Sequence, residues 1–347
     1  MDRAVVFSVA FCILVVVVVP SVLVRGCDFT VQPREEAQGS NVRVFVVATG
    51  KMSEMPLEEY VRGVVAAEMP ASFGTEALKA QAVAARTFVV RRMRQFGGPG
   101  CAAHPGADVC TDHLHCQAWI SGDELRRRLS YLEYYAYARK IASAVESTAG
   151  KIVTYQGKPI EAYYHSASGG STDNSEDVWS TAVPYLRAVS TRFEASEPSF
   201  QQRVEFTIDD LERKLGVKLR QRKVSTYKVA GKDVQVVAEE KMDRPIEVLG
   251  ASQAGRVKEV RIGDKVFSGY SLRELLGLRS TKLTYQVAGD KVYFVTTGYG
   301  HGIGMSQYGA EAMARAGKTY VDILKHYYTG TEVATYARLA PARSALH

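Results

Sequence analysis

The chain has 347 residues, 46% hydrophobic and 23% charged, with 44 Lys and Arg against 37 Asp and Glu and a formal net charge of +7. That length suits one large domain or two ordinary ones, and the composition excludes a disordered or collagen-like chain. The positive charge falls in scattered runs, 91–94, 126–128 and 218–223, which read as solvated faces. No zinc-finger, helix-turn-helix or RNA-binding pattern accompanies them, so nucleic acid is not an expected partner.

Residues 4–24 carry no charge. At about 1.5 Å per residue, such a helix crosses a hydrocarbon core of roughly 30 Å. The run is longer than the apolar part of a cleaved signal peptide, and no Ala-x-Ala site follows it. Residues 1–27 are therefore read as an uncleaved single-pass anchor, preferred over a cleaved signal. Arg3 would stay on the cytoplasmic side and everything after Cys27 outside. Residues 28–42 are polar and read as a stalk.

Beyond the stalk, 42–48 is strand-like, 57–69 reads as a helix, and 75–95 as a second helix with Thr75 as its N-cap. Residues 96–117 form a loop rich in Gly, Pro, Cys and His, long enough to need a reason for its order. Helical patterning resumes over 122–147, in two pieces, and Gly150 suits the stop. Segments 152–155 and 160–164 flank Gln156-Gly157 as a hairpin. From 204 to 283 short strands and helices alternate. Another hairpin surrounds Gly289-Asp290, and 306–316 and 320–328 close the chain as helices. Strands that come mostly as hairpins point to an α+β fold. The expected arrangement is a helical catalytic region packed on antiparallel hairpins (43–203 and 284–337). It carries an inserted smaller α+β lobe (204–283) and is preceded by one transmembrane helix.

One carboxylate stands out. Val61, Val64 and Val65 make an apolar i, i+3, i+4 stripe whose next position is Glu68. Pro70 disfavours helical geometry at Met69, so Glu68 falls at the helix C-terminus. Partial burial and the negative end of the helix dipole both disfavour an anion there. A carboxyl that keeps its proton near neutral pH is what a general acid needs. The competing reading is an ion pair with an Arg that pins two helices.

The 96–117 loop holds Cys101, Cys110 and Cys116. His104, Cys110, His115 and Cys116 make a two-nitrogen, two-thiolate set suited to tetrahedral zinc, with His113 as a rival ligand and Cys101 left over. A disulfide between two of the three cysteines is the alternative in an exported protein.

Residues 64–73 (VVAAEMPASF) and 76–87 (EALKAQAVAART), then 165–170 (HSASGG) and 298–310 (GYGHGIGMSQYGA), occur in that order. Together they resemble the stage II sporulation protein D family over roughly 40–335. The resemblance implies a lytic transglycosylase that cuts peptidoglycan glycan, preferably strands stripped of stem peptides, during forespore engulfment. It puts the essential acid at Glu68 and an important arginine at Arg86, and it implies structural zinc on the His104, Cys110, His115, Cys116 spacing. Stage II sporulation proteins P and M become expected partners, and the outer forespore membrane the expected location. The family also holds amidase enhancers, so a non-catalytic glycan-binding enhancer is the alternative function.

The residues fit such chemistry. A neutral Glu68 can protonate the glycosidic oxygen, and the sugar's own 6-hydroxyl can then close on the anomeric carbon to leave a 1,6-anhydro end. Water attack would need a second carboxylate, for which Asp173, Glu176 and Asp177 are the candidates. Tyr163, His165, Ser166, Ser168, His301 and Gln307 in and beside the matched motifs, with Arg86, are the expected substrate contacts. His165 and Ser166 are strand neighbours that point to opposite faces, which argues against a Ser-His nucleophile. The Gly-rich turn at His301 reads as a cleft-lining loop. Tyr164, Trp179, Tyr299 and Tyr308 are candidates to stack on sugars.

Overall fold

The computed structural model describes residues 40–339, apart from 180, 195–199 and 243. The expected anchor (1–27) and the first part of the stalk (28–39) lie outside the described residues. Among the described residues, no helix is long and apolar enough to cross a membrane. The stalk was drawn too long: strand β1 (Asn41–Val46) begins inside it, and Val42 is fully buried in the core.

Strand β1 pairs antiparallel with β2 (Lys51–Pro56), which leads straight into helix α1 (Leu57–Glu68). Val61, Val64 and Val65 are fully buried, as their spacing on one face requires. Met69 is extended, with φ −123° and ψ 137°, the conformation that a following proline favours. The helix therefore stops at Glu68. Helix α2 (Thr75–Arg92) starts with Thr75 inside the first turn, and Gly74 takes the cap position. The loop after α2 contains β3 (Val109–Cys110), which pairs in parallel with β1.

The next helical stretch breaks into α3 (Gly122–Arg128) and α4 (Tyr131–Ser147), where Ser130 and Glu133 form a capping box. The hairpin expected over 152–164 is only half formed. Strand β4 (Lys151–Tyr155) turns onto β5 (Lys158–Pro159), two residues long. The Ile160 N–H still donates to the Val153 carbonyl at 3.2 Å, and the chain then leaves. It forms β6 (Tyr164–His165) further on and then the short helix α5 (Ser175–Trp179).

The lobe opens with β7 (Gln201–Thr207) and α6 (Ile208–Leu215). An exposed hairpin follows, β8 (Arg220–Val229) on β9 (Lys232–Lys241). Next come the sheet of β10 (Ile246–Ala251), β11 (Val257–Ile262) and β12 (Lys265–Ser268), helix α7 (Gly269–Leu276), and the hairpin β13 (Leu283–Ala288) to β14 (Lys291–Thr297). This last hairpin was assigned to the larger region. It belongs to the lobe instead, because β14 pairs with β7 along its whole length and puts Val292 and Phe294 into the lobe's own core.

The chain then returns through β15 (Met305–Ser306), α8 (Gln307–Arg315), α9 (Tyr320–Tyr327) and β16 (Glu332–Thr335), which completes the β4 sheet. Helix α2 is enclosed by α1, α4, α8, α9 and β4, which is why it is apolar on almost every side. The fold is mixed α+β with mainly antiparallel sheets. The lobe is fastened to the larger body by Arg256, 2% exposed. Its Nε lies 2.8 Å from Asp173 Oδ2, and its other nitrogens donate to Ser280 Oγ at 2.8 Å and the Ser168 carbonyl at 2.6 Å.

Candidate active site

Glu68 lies in the wall of an open cleft of about 580 Å³. Three distant segments set its carboxylate. The first is α1 itself, whose end Pro70 dictates. The second is the stretch after Cys116. The Ala118 N–H donates to Glu68 Oε1 at 3.1 Å, and Gly63 allows this approach. A Cβ on Gly63 would stand 2.1 Å from Trp119 Nε1 and 2.7 Å from the Ile120 carbonyl. The third is the start of α8, where Gln307 Nε2 donates to Glu68 Oε2 at 3.1 Å. Burial pushes the Glu68 pKa up, and the Gln307 and Ala118 hydrogen bonds pull against that shift. The net result favours a proton on Glu68 while keeping donors ready for the anion.

The opposite wall joins two of the sequence motifs. Strand β6 pairs in parallel with β15, Tyr164 opposite Met305 and His165 opposite Ser306. Tyr163, Tyr164, His165, Ser166, Trp179, Tyr299, His301 and Gln307 all line the cleft. His301 has a set tautomer. The Ile303 N–H donates to its Nδ1 at 3.1 Å, so the proton sits on Nε2, which donates to the Tyr164 carbonyl at 3.1 Å. Burial, then Arg273 and Arg256, hold His301 down to about 4. It is a neutral wall residue and not a proton carrier. His165 donates from Nδ1 to the Ile303 carbonyl at 3.2 Å, and its Nε2 has no partner. Burial pushes its pKa well down as well, so a bare acceptor nitrogen is left in the wall. Gly304, at φ +71°, is required here: a Cβ would meet the Tyr163 carbonyl at 2.1 Å.

Several expected site residues are elsewhere. Arg86 is fully buried, not in the cleft. Its Nε donates to Glu58 Oε1 at 2.9 Å and its Nη1 to the Lys151 carbonyl at 3.0 Å. Arg86, not Glu68, is the residue that makes the helix-pinning ion pair. Ser168 is also fully buried, held by Glu194 through its N–H at 2.8 Å and its hydroxyl at 2.6 Å. Asp173 pairs with Arg256, Glu176 with Arg187, and Asp177 with Lys258. None of these three carboxylates lines the cleft. Tyr308 packs between Phe73 and Phe200.

Other cleft residues had no signal in the motifs. Gln117 donates to the Tyr164 hydroxyl at 2.8 Å. Arg92 sits in one of the runs read as solvated, yet it lines the cleft with its guanidinium 3.6 Å over the Phe88 ring. The lobe adds Tyr270, Arg273 and Glu274 from α7, the last two paired at 2.9 Å. Their i, i+3, i+4 spacing puts the three on one face of α7. Glu194, which gathers Ser168, Gly169 and Ser306 around one buried carboxylate, was not marked by any pattern.

The four expected metal ligands are not assembled. His104 stacks on Phe45 with ring centroids 3.9 Å apart. His115 is exposed, 3.8 Å from Asp112. Cys101, left over in the sequence reading, instead joins Cys110 and Cys116, and the three sulfurs lie within 4.8 Å of one another.

Residues 47–155 match the SpoIID family model, described as Stage II sporulation protein. The chain is 39% identical over 298 residues to Stage II sporulation protein D of Bacillus subtilis (strain 168), covering 86% of this chain and 80% of that protein. The chain belongs to the stage II sporulation protein D family. The protein of the same name from Bacillus amyloliquefaciens is 37% identical over 303 residues, 87% of this chain and 81% of that one. The Amidase enhancer of Bacillus subtilis (strain 168) is 30% identical over 315 residues, 80% of this chain and 40% of that protein. The segment matched by the family model contains α1, α2 and the cysteine loop, hence Glu68 and all three thiols. The wall made by β6, β15 and α7 lies beyond it.

Proposed function

We propose that this member of a sporulation family cleaves peptidoglycan glycan strands as a lytic transglycosylase, with Glu68 as the only acid and base. The observation that carries this reading is the half-buried Glu68, its pKa raised by burial, in a cleft whose one other carboxylate, Glu274, is paired with Arg273. Protonated Glu68 gives its proton to the glycosidic oxygen as the bond breaks. The Ala118 N–H and Gln307 Nε2 stabilise the carboxylate so formed. The anion then takes the proton of the sugar's 6-hydroxyl as that oxygen closes on the anomeric carbon. A water-using hydrolase needs a second free carboxylate, and the cleft supplies none among its described residues.

The walls suit a glycan. Tyr163, Trp179 and Tyr299 offer ring faces. Removal of a stem peptide frees the lactyl carboxylate of a muramic sugar. Arg92, with no carboxylate partner among the described residues, supplies a cation for it. This supports a preference for stripped strands. In the same reading the N-terminal apolar segment anchors the chain so that the cleft faces the wall at the outer forespore membrane, with stage II sporulation proteins P and M as partners.

The test is digestion of purified peptide-free strands by the full-length chain and by Glu68→Gln. Anhydro-ended products from the wild type alone support the reading. Similarity to an amidase enhancer favours a second reading, glycan binding that stimulates a separate amidase. Equal stimulation of an amidase by both chains, with no glycan products from either, would establish it and remove the first.

A further inference from the structure

Helix α4 has two apolar faces. Ile141, Ala144 and Val145 are buried and dock it on α1 and α2. A surface helix normally turns charged residues to water on its other side. At about 100° per residue, Tyr131, Leu132, Tyr135, Ala136 and Arg139 fall together on that outward side, and all five are exposed. Leu132 is 80% exposed, Tyr131 67% and Tyr135 52%. The two tyrosine rings meet edge to face with centroids 4.6 Å apart, so the apolar surface is continuous. The charge around it has one sign. Glu133, the first acid of α4, is taken up by the capping box with Ser130. Arg128 pairs with Glu124. Arg126 and Arg127 of α3, and Arg139, are exposed and have no carboxylate partner among the described residues.

Tyrosines and arginines alone would suit a sugar or an acidic polymer, but neither gains from an aliphatic side chain such as Leu132. An apolar protein would cover Leu132 and leave the arginines without counter-charge. A bilayer with anionic lipids meets all three chemistries at once. Its phosphates attract arginine, its headgroup level takes tyrosine rings, and its acyl boundary takes leucine. We propose that the outward face of α4, with the arginines of α3, rests in the headgroup layer of an anionic bilayer. Leu132 enters the acyl boundary, Tyr131 and Tyr135 stay level with the headgroups, and Arg126, Arg127 and Arg139 meet phosphates. The proposal rests on the anchored reading of the N-terminal segment only for the nearness of a membrane. An anchor ties the chain to the bilayer at one point and leaves the rest free to turn. A second contact restricts that turning and so sets how the cleft is presented.

An anchored chain stays with a bilayer whether or not α4 touches it, so the test reads contact at position 132. Full-length Leu132→Trp is placed in nanodiscs whose acyl chains carry bromine, which quenches an indole only on contact. The wild-type emission, from Trp119 and Trp179, is subtracted. In discs rich in phosphatidylglycerol the added emission should fall by about half or more, and in phosphatidylcholine discs it should persist. Joint replacement Arg126→Gln, Arg127→Gln and Arg139→Gln, or about 0.5 M salt, should restore it in the anionic discs. None of the replaced side chains is buried, so the fold should hold. Added emission of equal strength with and without bromine in anionic discs would overturn the proposal. So would an unquenched indole whose emission shifts to the blue as chain concentration rises, which would mark a contact between copies. If the full-length chain does not enter discs, the anchored reading falls, and flotation then tests the face by itself. The chain should float with anionic vesicles, and Leu132→Ser and the triple arginine variant should not. A wild-type chain that floats with neither anionic nor neutral vesicles would overturn the proposal.

Discussion

Gln307 Nε2 donates to Glu68 Oε2 at 3.1 Å across 239 residues of sequence. The amide meets the carboxylate because β15 lies beside β6 and starts α8 at the mouth of the cleft. The hydrogen bond favours the ionised form of Glu68 and opposes the effect of burial. Gln307→Ala should therefore raise the Glu68 pKa further. A general acid works while protonated, so activity falls as pH rises through that pKa. The alkaline limb of the rate profile should move to higher pH in the variant. The rate should fall about ten-fold, the worth of one hydrogen bond to a charged group. An unmoved limb would mean that Gln307 does not act through Glu68.

Arg86 should behave as a structural residue. Its guanidinium is fully buried against Glu58, so Arg86→Ala leaves Glu58 and the Lys151 carbonyl without their donor. The expected cost is about 3–5 kcal/mol of stability, read as a lowered denaturation midpoint. Lysine cannot reproduce the forked contact, so Arg86→Lys should recover only part of it. Surviving folded protein should keep its KM for glycan. A variant of native stability with a raised KM would return Arg86 to the substrate.

Local chemistry made half of this site readable in the sequence. Three valines at helical spacing and one proline put Glu68 on a buried face at a helix end, and steric rules act over a few residues. The features that were not readable depend on contacts between distant segments. Arg86 and Glu58 lie 28 residues apart, and nothing in either stretch marks the pair. Ser168 has the look of a sugar-binding serine until Glu194 is seen to occupy it. The cysteines show the same limit. Spacing set Cys101 apart, and only the way the loop folds back on β1 brings its sulfur beside those of Cys110 and Cys116.

Gly63 offers a test of the approach that builds the site. Alanine favours a helix over glycine by about 1 kcal/mol, but its Cβ would collide with Trp119 and the Ile120 carbonyl. The stretch that bears the Ala118 N–H must then shift off α1. Gly63→Ala should lose activity by ten-fold or more while α1 stays helical by circular dichroism, with a net stability loss of about 1–3 kcal/mol. Full activity would show that Ala118 does not support Glu68.

The neutral His301 sets an acid limit on stability. Its folded pKa, about 4, lies below its unfolded value, near 6.5. Between these values the unfolded chain binds more protons, so stability rises with pH in this window. The contribution is complete above about 6.5 and is lost as pH falls towards about 4. His301→Gln removes the titrating group. The wild type should therefore lose more stability than this variant between pH 6.5 and 4, by denaturant midpoints compared at each pH. Parallel losses in both chains would place the acid sensitivity elsewhere.

Arg92 should decide between glycan types. It borders the cleft over Phe88 and reaches the Tyr163 hydroxyl. A stripped muramic sugar carries a free lactyl carboxylate, whereas a strand with stem peptides carries an amide there. A charge-assisted contact to the free acid is worth about 1.5–3 kcal/mol more than none. Arg92→Met keeps the packing on Phe88 and removes the charge. It should lower kcat/KM on stripped strands by about ten-fold or more and leave the slow cleavage of strands with intact peptides nearly unchanged. Adding salt should weaken the wild type on stripped strands and have little effect on the variant. An equal loss on both substrates would mean that Arg92 supports the cleft without reading the carboxylate.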